Sequence, residues 1–263
     1  MIFGGQVRSV EDIDFLERAG FSVGEVALTS KQACEYWLRS GVRNGLGQGL
    51  PLIAHGPGEG PPNDIKNLWT KVIPALEDTV VTCAAMAIRF LTIHLWTDSR
   101  FVKHQIVDHK IVAIGHITTF ANDLGVEIGI ENLSENADDL ERALAGAPHL
   151  SITLDVGHGQ LLCTRNTSFE IIERLSGRIA HVHLHDNLGG NEVRDDLHLP
   201  IGEGIVDFRR ILGALMRKGY KRTATLEVKR HELISSKARL EKILEAVRGE
   251  AAASYSAAQQ QLR

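Results

Sequence analysis

Cysteine is scarce in this chain, and the three present, Cys34, Cys83 and Cys163, lie far apart with no CxxC pair. That pattern argues against a disulfide framework and a thiolate zinc site, and leaves the cysteines as small buried hydrophobes. Long apolar runs are missing too: nowhere do about eighteen uninterrupted apolar residues occur, so no membrane-spanning helix is expected. The opening segment "MIFGGQVRSVEDIDFLERAG" has no basic stretch followed by an apolar one, as a secretion signal requires, and a cytoplasmic setting is the expectation. There is no internal repeat. Positive charge is not in excess either, since the formal net charge is -4, which disfavours a protein held on nucleic acid by bulk charge.

What is present is a 263-residue chain with 43% hydrophobic content and no compositional break, a size that one α/β barrel domain commonly reaches. Short apolar, β-rich runs alternate with amphipathic stretches of helical period, the pattern of parallel strands joined by helices. The strand candidates are "MIFGG", "FSVGEVAL", "PLIAHG", "FLTIHLW", "VEIGIENL", "LSITLDVG", "IAHVHLHD" and "TATLEVK". Helical candidates lie between them, among them "VEDIDFLERAG", "SKQACEYWLRSG", "DIKNLWTKVIPALEDTVVTCAAMAIR" and "VDFRRILGALMRKG", several closed by glycine. Eight such units are expected to form a single (β/α)8 TIM barrel over residues 1–250, with the Ala/Gln-rich segment 251–263 as a tail that reads as a fraying helix end.

Within a strand, successive side chains point to opposite faces. In "GIEN" Gly129 and Glu131 share a face, as do Thr153 with Asp155, Thr225 with Glu227, and Thr92 with His94. A small residue thus stands two positions before a metal-binding type on four strands, at the C-terminal end where barrel active sites form. One acidic residue at a strand end is as well read as a helix cap. Several converging on one barrel mouth are costly unless a cation or protons balance them.

The stretch "HVHLHDNLGGNEVRDDLHLPIGEGIVDF" adds four histidines and four aspartates. His181, His183 and His185 project from one face of the seventh strand at rising height. His183 has the height of a ligand, His181 reads as a core histidine, and His185 as a residue orienting another ligand. Asp196 and His198 follow, then a Gly-Glu-Gly turn, and Asp155 and His158 in "DVGH" are spaced to reach adjacent positions of one site. Such sets suit Zn²⁺, Mn²⁺, Co²⁺ or Fe²⁺ rather than Ca²⁺.

The segments "IENL", "DVGHGQ", "HLHDN", "DLHLPIGEGIVDF" and "TLEVK", in this order, resemble the xylose isomerase-like TIM-barrel superfamily, which includes sugar isomerases, epimerases and endonuclease IV. The resemblance implies a metal-dependent isomerase or epimerase of a sugar or sugar phosphate, active in carbohydrate metabolism. One divalent metal, manganese, zinc, cobalt or magnesium, would be held by Glu131, Asp155, His183 and Glu227. Glu131 and Glu227 would also move the proton at a carbon next to a carbonyl. Endonuclease IV uses nine ligands for three zinc ions, and a residue of matching type stands here at His55, His94, Glu131, Asp155, His158, His183, Asp196, His198 and Glu227. The resemblance therefore also admits a zinc-dependent phosphodiesterase with up to three ions. Against it, the segment that carries a DNA-contacting tyrosine in that family is replaced by "HGPGEGPPND". A non-catalytic sugar-binding barrel is the third reading, disfavoured by the intact ligand set.

His158 and His185 are further expected to touch substrate. Trp96 shares the phase of His94 and would wall a sugar pocket, and Lys229, with Arg230, would meet a phosphate or remain solvated. Glu25 either contacts substrate or is a buried glutamate paired with a neighbouring strand. His104, His109 and His116 fall on a helix face, and His149 in a loop at the far end of the barrel. Members of the superfamily often form homo-oligomers, and no interface signature is visible here.

Overall fold

The computed structural model describes residues 1–44 and 49–261. Eight parallel strands pair in chain order and close on themselves, β8 returning to β1. They are β1 (Ile2–Val7), β2 (Val23–Ala27), β3 (Leu52–His55), β4 (Phe90–Ile93), β5 (Glu127–Glu131), β6 (Ser151–Asp155), β7 (Ile179–Leu184) and β8 (Thr223–Leu226). Each is followed by a helix: α1 (Val10–Arg18), α2 (Lys31–Ser40), α3 (Ile73–Ala85), α4 (His104–Asp123), α5 (Ala137–Gly146), α6 (Ser168–Leu175), α7 (Phe208–Arg217) and α8 (Leu233–Gln261). This is the (β/α)8 TIM barrel that the alternation of the sequence predicts. A π-helical turn, Leu68–Val72, leads into α3, and no periodicity in the sequence signals it. The backbone of α8 is helical through Gln261, and the last two residues of the expected tail lie outside the described residues. Among the described residues no helix is long and apolar enough to cross a membrane.

Two layers hold the barrel. Outward-facing strand residues such as Val26, Leu91, Ile130, Leu154, Val182 and Leu226 are fully buried against helical side chains including Leu16, Leu76, Ile114, Leu140 and Ile211. Each large side chain removed from water in this way contributes about 1.5–3 kcal/mol. Inside the barrel the small residues read from the sequence form a layer beneath the polar ones. Thr92 and Thr153 hydrogen-bond at 2.9 Å across β5. They meet over Gly129, where a Cβ would collide with the Phe90 ring and the Thr153 hydroxyl.

The loops at the C-terminal mouth are fixed by buried charges. Glu59, in the loop after β3, pairs with Lys110 of α4 at 2.8 Å and accepts the Trp96 backbone N–H at 3.1 Å. The Lys110 ammonium, itself 1% exposed, also donates to the Trp96 carbonyl at 2.6 Å. Removing one member of such a pair leaves the other charge buried and uncompensated. Lys110→Met is therefore expected to destabilise the protein by about 3–5 kcal/mol. Chemical denaturation checks this, and a loss below about 1 kcal/mol would mean that the pair lies in effectively aqueous surroundings. After β7, the Asp186 carboxylate accepts the backbone N–H groups of Asn187, Gly202 and Val206, drawing the Gly-Glu-Gly turn back onto the strand end. The turn thereby carries Asp196 and His198 over the mouth.

Candidate metal centre

The phase read from the strands brings Glu131, Asp155, His183 and Glu227 together at the C-terminal end of the barrel. One donor atom from each lies within 4.8 Å of all the others. His183 Nδ1 is 3.1 Å from Glu131 Oε1, 3.7 Å from Asp155 Oδ2 and 3.7 Å from Glu227 Oε1. Two further groups flank this one. On one side His94 Nε2 and His55 Nε2 stand 2.7 and 3.3 Å from Glu131 Oε2. On the other, His158 Nε2 and His198 Nε2 each lie 3.1 Å from Asp196 Oδ2. His185 completes this third group and reaches Asp155 Oδ1 at 3.0 Å. Glu131 joins the sides, with one oxygen toward the His55–His94 pair and the other toward His183 and His158.

Whether these residues suit a divalent ion is tested by their unsatisfied atoms. Glu131 Oε1 and His183 Nδ1 are buried and make no hydrogen bond, although they are only 3.1 Å apart. A carboxylate oxygen and a ring nitrogen held this close with no hydrogen bond between them leave both free to serve as ligand atoms of one ion. Donors about 2.0–2.2 Å from a tetrahedral ion stand roughly 3.3–3.6 Å apart, and the 3.1, 3.7 and 3.7 Å from His183 Nδ1 to its three neighbours bracket that spacing. The mixture of carboxylate and imidazole suits zinc, manganese or cobalt.

Protons compete for the same atoms. Burial opposes the ionisation of Glu131, yet His183 and His94 hold its carboxyl well below the usual range. Burial likewise opposes a charge on His55, and the Glu131 carboxylate outweighs it, pushing the imidazole up to about 9. His198 is pushed up to about 9 against burial by its bond to Asp196 and by Glu227.

The surrounding shell is ordered. Asn132 pins the end of β6 by exchanging two bonds of 2.9 Å with the Asp155 backbone. His158 donates its backbone N–H to Asp155 Oδ1 at 2.7 Å. His198 adopts a left-handed φ of 46°, unusual for a non-glycine residue, and its Nδ1 bonds the Glu227 carbonyl at 2.9 Å. A Cβ on Gly157 would fall inside the His185 ring, which stacks on His198 with centroids 3.9 Å apart. Gly157→Ala is thus expected to displace His185, disorder the third group and loosen Asp155, which His185 also bonds, while leaving the His55–His94 pair intact. Metal per chain checks it, and a full complement at wild-type affinity would show that the ring yields without cost.

The remaining predicted residues are placed as follows. His181 bonds Thr223 Oγ1 at 2.8 Å and Thr225 Oγ1 at 3.0 Å in the layer below. Trp96 stacks on Phe101 with centroids 5.3 Å apart and donates to Ser134 Oγ at 2.8 Å, so its indole is engaged in the loop's own packing. Lys229 lines a pocket of about 420 Å³ with Gln6, Arg8, His198 and Glu227. Arg230 is tied to Asp12 at 3.0 Å and lies over the Phe15 ring. On α4, His104 faces Asp108 and His116 bonds Glu77. His109 accepts from Trp69 Nε1 at 3.5 Å.

Two residues escaped the sequence reading. Gln6 donates to Glu227 Oε1 at 2.8 Å and accepts from Arg8 Nη2 at 3.1 Å, so an exposed guanidinium is linked through an amide to a carboxylate of the central group. A second pocket, about 750 Å³, opens on the other side of Gln6 and Arg8, toward Glu25, Tyr36 and His55. Gly4 and Gln6 repeat the spacing of Gly129 and Glu131, a signal that could have singled out Gln6.

With this geometry in place, comparison with known proteins sets it in context. The chain is 33% identical over 171 residues to the uncharacterized protein MJ1311 of Methanocaldococcus jannaschii, which is 58% of this chain and 53% of that protein. It therefore spans about half the length of that relative, and less of a second one, MJ1614 of the same organism. A D-tagatose 3-epimerase-like protein has the same fold, with a TM-score of 0.75 at 22% identity over 95% of this chain and 100% of that one. So has a Thermus thermophilus protein, TTHB071, soaked with ZnCl2, with a TM-score of 0.69 at 20% identity over 92% of this chain and 98% of that one. The model of the xylose isomerase-like TIM barrel matches residues 13–250, and the chain belongs to that family.

Proposed function

We propose that this protein is a divalent-metal-dependent isomerase or epimerase acting on a sugar or sugar phosphate, built as one barrel unit over residues 1–250. The observation that carries the reading is the approach of Glu131 and Glu227 to one point from β5 and from the end of β8, each with an oxygen toward His183 Nδ1. A bound ion would be held by Glu131, Asp155, His183 and Glu227 and would supply polarisation of the substrate carbonyl or hydroxyl. One of the two glutamates takes the proton from the carbon beside the carbonyl, and the other returns a proton. Gln6 holds Glu227 by its 2.8 Å bond, restricting where that carboxylate points. The family membership and the name of the D-tagatose 3-epimerase-like protein support a sugar substrate. Incubation with a panel of ketoses, aldoses and their phosphates in D2O tests the proposal, because proton transfer exchanges deuterium into one sugar carbon.

A second reading is favoured by a specific observation: all nine residues matching the three-zinc pattern gather in three groups that Glu131 and Asp155 link. In that case the three groups would hold up to three zinc ions, which would supply activation of water and charge stabilisation for phosphodiester hydrolysis, the activity of an apurinic-site endonuclease. The test is metal content per chain together with incision of duplex DNA bearing an abasic site. About one equivalent and deuterium exchange support the isomerase. Two to three equivalents of zinc with incision support the hydrolase.

A further inference from the structure

Glu25 is a fully buried glutamate beside the central group that neither the ligand set nor the proposed proton transfer uses. It lies on β2, inward, level with Gln6 of β1 and Ile53 of β3, and is 1% exposed. Among the described residues no lysine or arginine pairs with it; its ion-pair partners are His183, with Nε2 3.1 Å from Oε1, and His181, with Nε2 3.5 Å from Oε2. His181 stands farther off, its two ring nitrogens engaged with Thr223 and Thr225, so His183 makes the close contact to Glu25. A carboxylate buried this way costs several kcal/mol unless something across the site uses its charge. An apolar side chain would fill the position at no such cost.

We propose that Glu25 is a positioning residue for the metal centre: it receives the Nε2 proton of His183 and so fixes the tautomer and ring rotation that present Nδ1 to Glu131, Asp155 and Glu227. The inference rests on the metal reading above. An imidazole has two nitrogens, and the bond made by one decides what the other can do. When an ion displaces the Nδ1 proton, the proton left on Nε2 is the one Glu25 accepts, and the Nδ1 lone pair faces the central group, 3.1 Å from Glu131 Oε1. The charge of Glu25 also makes the ring a stronger donor to a cation. Its place on β2, a strand that contributes none of the predicted ligands, ties that side of the barrel wall to the site.

The test is the dissociation constant of Zn²⁺ and of Mn²⁺ for the chelator-stripped full-length protein, by competition with a chromophoric chelator, alongside the thermal midpoint of the stripped protein. Glu25→Gln keeps the shape and an acceptor oxygen but loses the charge; Glu25→Ala loses both. Weakening of roughly 10–100-fold is expected for the glutamine variant, the range found when partners of metal-bound histidines are removed, and more for the alanine variant. The stripped glutamine variant should melt close to wild type, because glutamine keeps the shape and the acceptor oxygen for His183 Nε2 and removes a charge from the buried interior. Affinity within twofold of wild type in both variants overturns the assignment and leaves the metal reading standing. A fall in affinity matched by an equal fall in the stability of the stripped protein also overturns it, in favour of a structural role. If wild type itself binds neither ion, the metal reading and this inference fall together.

Discussion

Glu131→Gln is expected to lower turnover by about 10³-fold, within the range for loss of a proton-transferring side chain, and to weaken metal binding in one of the two groups that Glu131 joins. The size of the effect follows from its position. Its Oε2 faces His94 at 2.7 Å and His55 at 3.3 Å, while its Oε1 faces His183 and His158, each at 3.1 Å. An amide keeps one acceptor oxygen and turns the other end into a donor, so one of the two groups meets N–H protons where it had a lone pair. His198→Ala touches the third group alone and serves as the comparison. Steady-state rates and metal per chain, measured on both variants, check the prediction. A Glu131→Gln protein that keeps both its full metal content and most of its activity would remove this residue from the centre.

Removal of the metal that the proposed function places in this centre is expected to lower the melting temperature by roughly 8–16 °C. An ion present at about a thousand times its dissociation constant stabilises the folded state by about 4 kcal/mol, and each kcal/mol shifts a chain of 150–250 residues by about 2–4 °C. The physical source is the crowding of Glu25, Glu131, Asp155 and Glu227, four carboxylates no more than 5% exposed, around His183. Calorimetry with and without chelator gives the shift, and stepwise return of Zn²⁺ or Mn²⁺ shows whether stability is regained after one equivalent or continues to rise toward three. An unchanged midpoint would mean that protonated histidines alone balance the carboxylates.

Much of this was legible in the sequence because two local signals agreed. Strands such as "SITLD" and "IAHVHL" have outward positions that are uniformly apolar, so the inward phase of Thr153, Asp155 and His183 could be read without knowing the fold. The recurrence of a small residue two positions before a ligand type reflects a real layer, in which Thr92 and Thr153 bond beneath the centre and Thr225 supports His181. What stayed hidden depends on partners remote in the chain. Nothing local to "VGEVA" says that Glu25 meets a histidine 158 positions away, and Glu59 in a glycine- and proline-rich loop gives no sign of the lysine 51 positions on that holds it. Gln6 escaped because an amide is not a metal-binding type, and its importance comes from the carboxylate it touches.

The seam of the barrel has a consequence for how the molecule assembles. Gln6 and Glu227 meet across the pairing of β1 with β8, at a separation of 221 positions. Closing a loop of that length costs about 5 kcal/mol of chain entropy beyond a constant, so this contact forms late in folding. Glu131, Asp155, His183 and Glu227 lie on β5 to the end of β8, four strands paired in chain order, so they gather by short-range steps, and what the seam adds is Gln6. A refolding intermediate with an open seam would therefore already offer an ion these four residues, while the hold of Gln6 on Glu227 would come only once the two ends of the chain have met.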